Sequence, residues 1–219
     1  TTVRHGNHLF ENLGGGRFED VFETAVEPVP TGWGWNGYFL DAGNRGWPDV
    51  FQTTGWWPYR LGFARERQVF WRYDPAQGRL LDASRESGLD FRGNSRSGAA
   101  ADLNGDGCLD VVTTGFDPIR LFRGRCPKEN HWLGVKLEGR RSNRDGIGAK
   151  VTVSAGTHSQ TEELGPQGGG FQNSPPRRLH FGLGPAARVD AVEIRWPGGT
   201  IQKLGPVEAD RVLLIKEEF

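Results

Sequence analysis

Methionine is absent from these 219 residues. Translation starts on methionine, so a chain opening Thr1-Thr2 reads as a processed or truncated product that has lost a signal peptide or preceding sequence. Charge of one sign is missing too: 27 Lys and Arg balance 27 Asp and Glu, and no basic stripe points to nucleic acid. No apolar run approaches the roughly 18–20 residues that span a bilayer, so no transmembrane segment is expected. Histidine is limited to five scattered positions without His-x-His or His-Glu-x-x-His spacing. Ser154 and Ser159 lack a nucleophile-elbow context. His180 stands alone in a strand pattern, the ordinary setting of a structural histidine. Glycosidase-type carboxylate pairs are defined by a separation that sequence does not supply. No catalytic residue is therefore assigned.

What is abundant is Gly (33), Pro (13) and Trp (8), a composition that favours turns and short strands over helices. The most informative stretch runs Asp102-Leu103-Asn104-Gly105-Asp106-Gly107-Cys108-Leu109-Asp110. Oxygen-bearing side chains fall at Asp102, Asn104, Asp106 and Asp110, loop positions 1, 3, 5 and 9, with Gly105 and Gly107 letting the backbone turn between them. Together with a backbone carbonyl, that of Cys108, they make a hard-oxygen set of the kind Ca²⁺ takes, whereas Zn²⁺ would want imidazole or thiolate. The competing reading is an Asn/Gly/Asp turn with solvated acids, because the Glu at position 12 and the helices of an EF-hand are missing.

The loop position recurs. Asp41-Ala42-Gly43-Asn44-Arg45-Gly46-Trp47-Pro48-Asp49 lies 61 residues upstream and keeps acids at positions 1 and 9, but has Gly43 and Arg45 at positions 3 and 5. This copy is expected to hold no metal, with the Arg45 guanidinium lying between Asp41 and Asp49 in the place of a cation. Strand patterns flank both loops, as in Val111-Val112-Thr113-Thr114. Strand, oxygen loop, strand and hairpin resemble the FG-GAP/VCBS repeat, the blade unit of calcium-binding β-propellers. His8-Leu9-Phe10-Glu11-Asn12-Leu13-Gly14-Gly15-Gly16-Arg17-Phe18-Glu19-Asp20-Val21 matches that family's opening, with weaker copies at Gln68-Val69-Phe70-Trp71 and Arg120-Leu121-Phe122-Arg123. A closed propeller takes at least about four blades, so the blades here would be completed by other sequence, another chain or a different packing. Residues 60–97, Arg-rich and sparse in apolar positions, read as a solvated surface insertion plus the second repeat opening.

From residue 128 the pattern changes. Asn130-His131-Trp132-Leu133-Gly134-Val135-Lys136-Leu137, Ser142-Asn143-Arg144-Asp145-Gly146-Ile147-Gly148-Ala149, His180-Phe181-Gly182-Leu183-Gly184 and Val192-Glu193-Ile194-Arg195-Trp196-Pro197-Gly198 are similar to the ASPIC/UnbV domain. That domain follows FG-GAP/VCBS blades in proteins of the cartilage acidic protein type. The resemblance implies an all-β fold: incomplete propeller blades over residues 1–127 and a β-sandwich-like ASPIC/UnbV domain over 128–219. Strand spacing supports the all-β assignment independently.

Cys108 and Cys126 each lie nine residues from Asp117, so they can sit opposite one another on antiparallel strands; a disulfide there would place the chain in an oxidising compartment, while two unrelated buried thiols are the alternative. Trp33, Trp35, Trp56 and Trp57 concentrate in one glycine-rich region. They are candidates either for a platform binding a sugar or a prenyl-like ligand or, the plainer reading, for inter-blade core and partner contact. The function these observations carry is a calcium-stabilised extracytoplasmic (secreted or periplasmic) interaction module that recognises a protein, a glycan or the remaining blades of its own polypeptide. Its rivals are a calcium-dependent cyclase or isomerase of natural-product biosynthesis and an accessory subunit of a larger extracytoplasmic complex.

Overall fold

The computed structural model describes residues 7–56, 66–165 and 176–218. Among them strands dominate, and the single helix is one turn, Phe22–Ala25. The N-terminal hairpin Phe10–Gly14/Arg17–Asp20 is exposed along its whole length. A four-stranded antiparallel meander follows, with Gly34–Leu40, Asp49–Thr54, Val69–Asp74 and Arg79–Asp82 in that spatial order. A three-stranded meander, Ser95–Ala101, Asp110–Gly115 and Arg120–Phe122, comes next.

The alternation of these strands explains the packing. In Gly34–Leu40, Asn36, Tyr38 and Leu40 are buried while Gly37 and Phe39 are exposed, the period of two that a strand imposes. Tyr38 stands opposite Phe51, with ring centroids 5.5 Å apart edge to face. Both join Leu40, Phe70, Leu109 and Val111 in a core shared by the two meanders. The other face of the first meander carries Val69, Trp71 and Leu80, closed by Val26 just after the short helix. Phe51 and Phe70 are essentially inaccessible, each contributing about 1.5–3 kcal/mol by burial.

Residues 60–65 lie outside the described residues, and residues 66–97, read as part of a solvated insertion plus the second repeat opening, are not solvated throughout. Glu66, Gln68, Val69, Phe70 and Trp71 are buried, and Val69–Asp74 is an inner strand of the meander. The arginines that suggested a solvated segment are tied down instead: Arg67 bridges Asp82 and Asp90 at 2.8 and 2.9 Å.

A 61-residue repeat is explicit in the strands. Gly34–Leu40 and Asp49–Thr54 correspond, boundary for boundary, to Ser95–Ala101 and Asp110–Gly115.

Among the described residues the C-terminal half forms two larger sheets and a two-stranded pair, Arg188–Val189 with Val207–Glu208. His131–Glu138 lies between Leu179–Gly184, antiparallel, and Arg211–Lys216, parallel. The other sheet runs His158–Glu163, Lys150–Ala155, Ala191–Arg195, Ile201–Leu204. The two share one core in which Leu133, Val135, Val151, Phe181, Val192 and Ile194 are fully buried. Trp196 fills its end and satisfies its indole N–H on Gln202 Oε1 at 3.0 Å. No sheet among the described residues mixes strands from before and after residue 127.

Candidate functional site

The two nine-residue loops are wired alike except for one amide: the position-1 acid takes the N–H groups of positions 4 and 6 in loop 102–110 and of positions 5 and 6 in loop 41–49. At position 1, Asp102 accepts the Gly105 N–H at 2.7 Å and the Gly107 N–H at 3.3 Å; Asp41 likewise accepts those of Arg45 at 2.9 Å and Gly46 at 2.6 Å. At position 9, Asp110 accepts the N–H groups of Leu103 and Gly124, at 3.1 and 2.8 Å, as Asp49 accepts those of Ala42 and Tyr73, at 3.3 and 3.0 Å. Position 4 is left-handed in both, Gly105 at φ +78° and Asn44 at φ +53°, and so is position 6, Gly107 at +84° and Gly46 at +86°. A glycine at position 6 is required twice over, because a Cβ on Gly107 would stand 1.9 Å from the Trp132 indole nitrogen.

Counter-charge separates the loops. The Arg45 guanidinium pairs with Asp49 and also donates to Tyr73 O at 3.0 Å, while Asp41 is held by backbone N–H groups. The expected bridge between two acids is therefore a bond to one of them: the side chain turns toward the position-9 carboxylate, and position 1 points at the loop's own amides. Burial nonetheless pushes Asp49 up to about 6 against the pull of Arg45. Its counterpart Asp110 is 3% exposed, and among the described residues no Lys or Arg contacts it. Asp106, where the other loop has Arg45, accepts the Cys108 N–H at 3.0 Å and the Asn104 amide at 2.8 Å, with Arg123 at 3.3 Å.

These residues suit Ca²⁺ by donor type, backbone shape and unmet negative charge at buried Asp110. Their side chains face loop amides, however, and no group of three or more His, Cys, Asp or Glu among the described residues is arranged as a metal cage. Asp102, Asn104, Asp106, Asp110 and the Cys108 carbonyl would be the ligands, and the bound ion would supply the charge that Arg45 supplies in the other loop.

Both loops abut the C-terminal half. Asn44 donates to Gly107 O at 2.8 Å and to Cys126 Sγ at 3.3 Å, and its Oδ1 accepts from His180 Nε2 at 2.8 Å. Arg178 reaches Asp102 through the carbonyl at 2.9 Å and the carboxylate at 3.4 Å. Trp132 stacks on His180 with centroids 5.6 Å apart. A disulfide joins Cys108 to Cys126, Cα–Cα 5.6 Å, and ties the end of the 102–110 loop to the strand returning from its hairpin.

Trp33, Trp35 and Trp56 come together, but largely onto one another. Trp33 and Trp56 centroids are 4.1 Å apart and those of Trp35 and Trp56 5.8 Å, and Arg96 covers the Trp35 ring at 3.9 Å. The faces a sugar would use are thus engaged by neighbours, although Trp33 and Trp35 also border a hollow of about 430 Å³. Trp57 lies outside the described residues.

Sequence reasoning missed Asn44, Arg178 and Glu162: Asn44 and Arg178 reach partners 63 or more residues away in chain order, and Glu162 meets Asp41 and the His180 main chain, contacts that leave no local signal. It also missed Glu217. This carboxylate accepts the N–H groups of Arg140, Arg141 and Ser142 at 2.7–2.9 Å and the Ser142 hydroxyl at 2.8 Å. Burial would raise its pKa, but these four donors outweigh that and hold it at about 2.

The C-terminal region has a sequence match of its own: residues 139–218 fit the family described as ASPIC and UnbV. Across 118 residues, 51% of this chain, the sequence is 31% identical to cartilage acidic protein 1 of Mus musculus and of Homo sapiens. Across 116 residues it is 30% identical to the Xenopus tropicalis protein of the same name. The aligned segment makes up 18%, 17% and 17% of the mouse, human and frog proteins, so the chain spans less than a fifth of the relatives it matches.

Proposed function

We propose that this chain is an extracytoplasmic interaction module in which FG-GAP/VCBS-type repeats, as part of a β-propeller, and an ASPIC/UnbV domain are locked together at a calcium-stabilised junction. The observation that carries the calcium reading is the contrast at loop position 9: Asp49 has a guanidinium, and Asp110, also buried and equivalently placed, has none among the described residues. The disulfide beside the loop supports an oxidising compartment, and the similarity to cartilage acidic protein 1 supports an extracellular type of role. Among the described residues no helix is long and apolar enough to cross a membrane. A rigid all-β body with two halves wired through one junction suits the display of surfaces to a protein or glycan partner.

Differential scanning calorimetry tests the calcium claim. A chelator-stripped sample should melt higher on addition of CaCl₂ but not of equimolar MgCl₂, because the larger ion tolerates the irregular oxygen set. Equal melting temperatures with and without CaCl₂ would remove calcium from the reading.

A further inference from the structure

A cleft of about 560 Å³ lies between the 41–49 loop and the edge strand His158–Glu163 of the C-terminal half. Its back is closed by three rungs from alternate residues of that strand. His158 Nε2 donates to Gly46 O at 2.8 Å, Gln160 to Gly182 O at 2.6 Å, and the Glu162 carboxylate accepts the His180 backbone N–H. Trp47 and Phe39, 36% and 63% exposed, present aromatic surface to the cleft.

The charge inside is unbalanced. Four carboxylates line the cleft: Asp41, Asp102, Glu162 and Glu163. Arg178 is committed to Asp102 and Lys150 to Glu163, at 3.4 and 3.6 Å. Asp41 and Glu162 have backbone N–H donors but, among the described residues, no Lys or Arg in contact. A second deficit concerns His180, which also lines the cleft. The Asn44 amide nitrogen donates to Gly107 O, so its oxygen accepts and His180 Nε2 carries the proton. His180 Nδ1 is then a bare acceptor, and it is buried without a hydrogen-bond partner.

We infer that this cleft binds a small organic cation, a primary ammonium or guanidinium group on an apolar stem. Two carboxylates without a contacting Lys or Arg among the described residues supply charge, and Trp47 and Phe39 receive the stem and the cation's face. Burial, reinforced by the Asp41 charge, raises the Glu162 carboxyl to about 7. A cation favours its ionised form, so binding near neutrality releases protons. The groups facing Glu162 are Asp41 from the loop and the His180 main chain, with Arg178, His158 and Glu163 around them.

Calorimetric titration of the full chain in EDTA, which separates this site from calcium at 102–110, tests the inference with two probes. Agmatine represents a free small amine and N-acetyl-lysine amide a basic side chain of a partner. One-to-one binding is expected, weakened at least about tenfold by Glu162→Gln and by Phe39→Ala. Glu193→Gln, on the strand Ala191–Arg195 two places from the cleft strand and paired with Lys203, should leave it unchanged. Affinity should rise about tenfold from pH about 5.5 to about 8 as Glu162 ionises. Binding of agmatine alone assigns the site to free amines, and binding of both extends it to basic side chains. No saturable heat with either probe up to about 10 mM, or undiminished binding by Glu162→Gln, would overturn the inference. Phe39 is mostly exposed, so Phe39→Ala keeps the test decisive even if Glu162→Gln fails to fold.

Discussion

The two nine-residue loops share a backbone, a set of amide-to-carboxylate bonds and a place at the same junction, yet they answer the same electrostatic problem differently. Loop 41–49 carries its cation covalently, as Arg45 against Asp49. Loop 102–110 has Asp106 at that position and leaves Asp110 with amide donors only. The hydrogen bonds of the loop amides are therefore what the fold requires, and the counter-charge is a separate element that can be built in or left to an ion. Glu217 shows a third way: four donors and no cation.

The sharpest way to break this comparison is to remove the built-in cation. Arg45→Ala leaves Asp49 buried and unpaired, with an expected loss of about 3–5 kcal/mol in urea unfolding. Arg45→Ala/Asp49→Asn should recover more than half of that loss. Additive effects of the two substitutions would mean that the guanidinium is not the partner that matters. Next in size is the covalent clamp found on one loop alone. Replacing Cys108 and Cys126 by serine opens a link of sequence separation 18 and should cost about 3 kcal/mol, read as a lower denaturant midpoint. An unchanged midpoint would show that the clamp adds nothing to the hydrogen-bonded loop.

Calcium at a hundredfold above its dissociation constant should stabilise the chain by about 2.7 kcal/mol, a rise of roughly 5–10 °C in melting temperature. Asp106→Ala should abolish that rise, whereas Arg45→Ala should retain it, since only the 102–110 loop is proposed to take the ion. The smallest effect separates both loops from Glu217. Its folded pKa, about 2, lies below the ordinary 4.5, so its stabilisation is complete above about 4.5 and is lost as pH falls toward 2. Glu217→Gln should cost about 2 kcal/mol at pH about 7 and nothing near pH about 2, as seen by chemical denaturation at the two values. An equal cost at both would make the bonds, rather than the charge, the source of stability.

The Asp-x-x-x-x-x-x-x-Asp frames, the glycine at position 6 and the 61-residue offset are local patterns, and local backbone rules make them readable: a left-handed turn demands glycine or asparagine, and strands alternate with a period of two. Within residues 66–97 arginine density suggested more solvation than the fold has: Arg67 sits in a two-acid bridge, and Val69, Phe70 and Trp71 are buried. The Trp cluster was legible as a cluster, but composition does not say that Trp35 is covered by Arg96 from another strand.

The sequence by itself determined an all-β chain, two loops of one kind with opposite chemistry at position 5, and a cysteine pair spaced about one hairpin, because each depends on residues close in the chain. Only the tertiary structure decided that Arg178 lands on Asp102, that Asn44 bridges Gly107 and His180, and that Asp41 and Glu162 share a cleft whose Arg178 is already paired with Asp102. Those partners are 63 to 136 positions apart. Their meeting depends on how two separately folded cores pack, and no local preference of either segment encodes that packing.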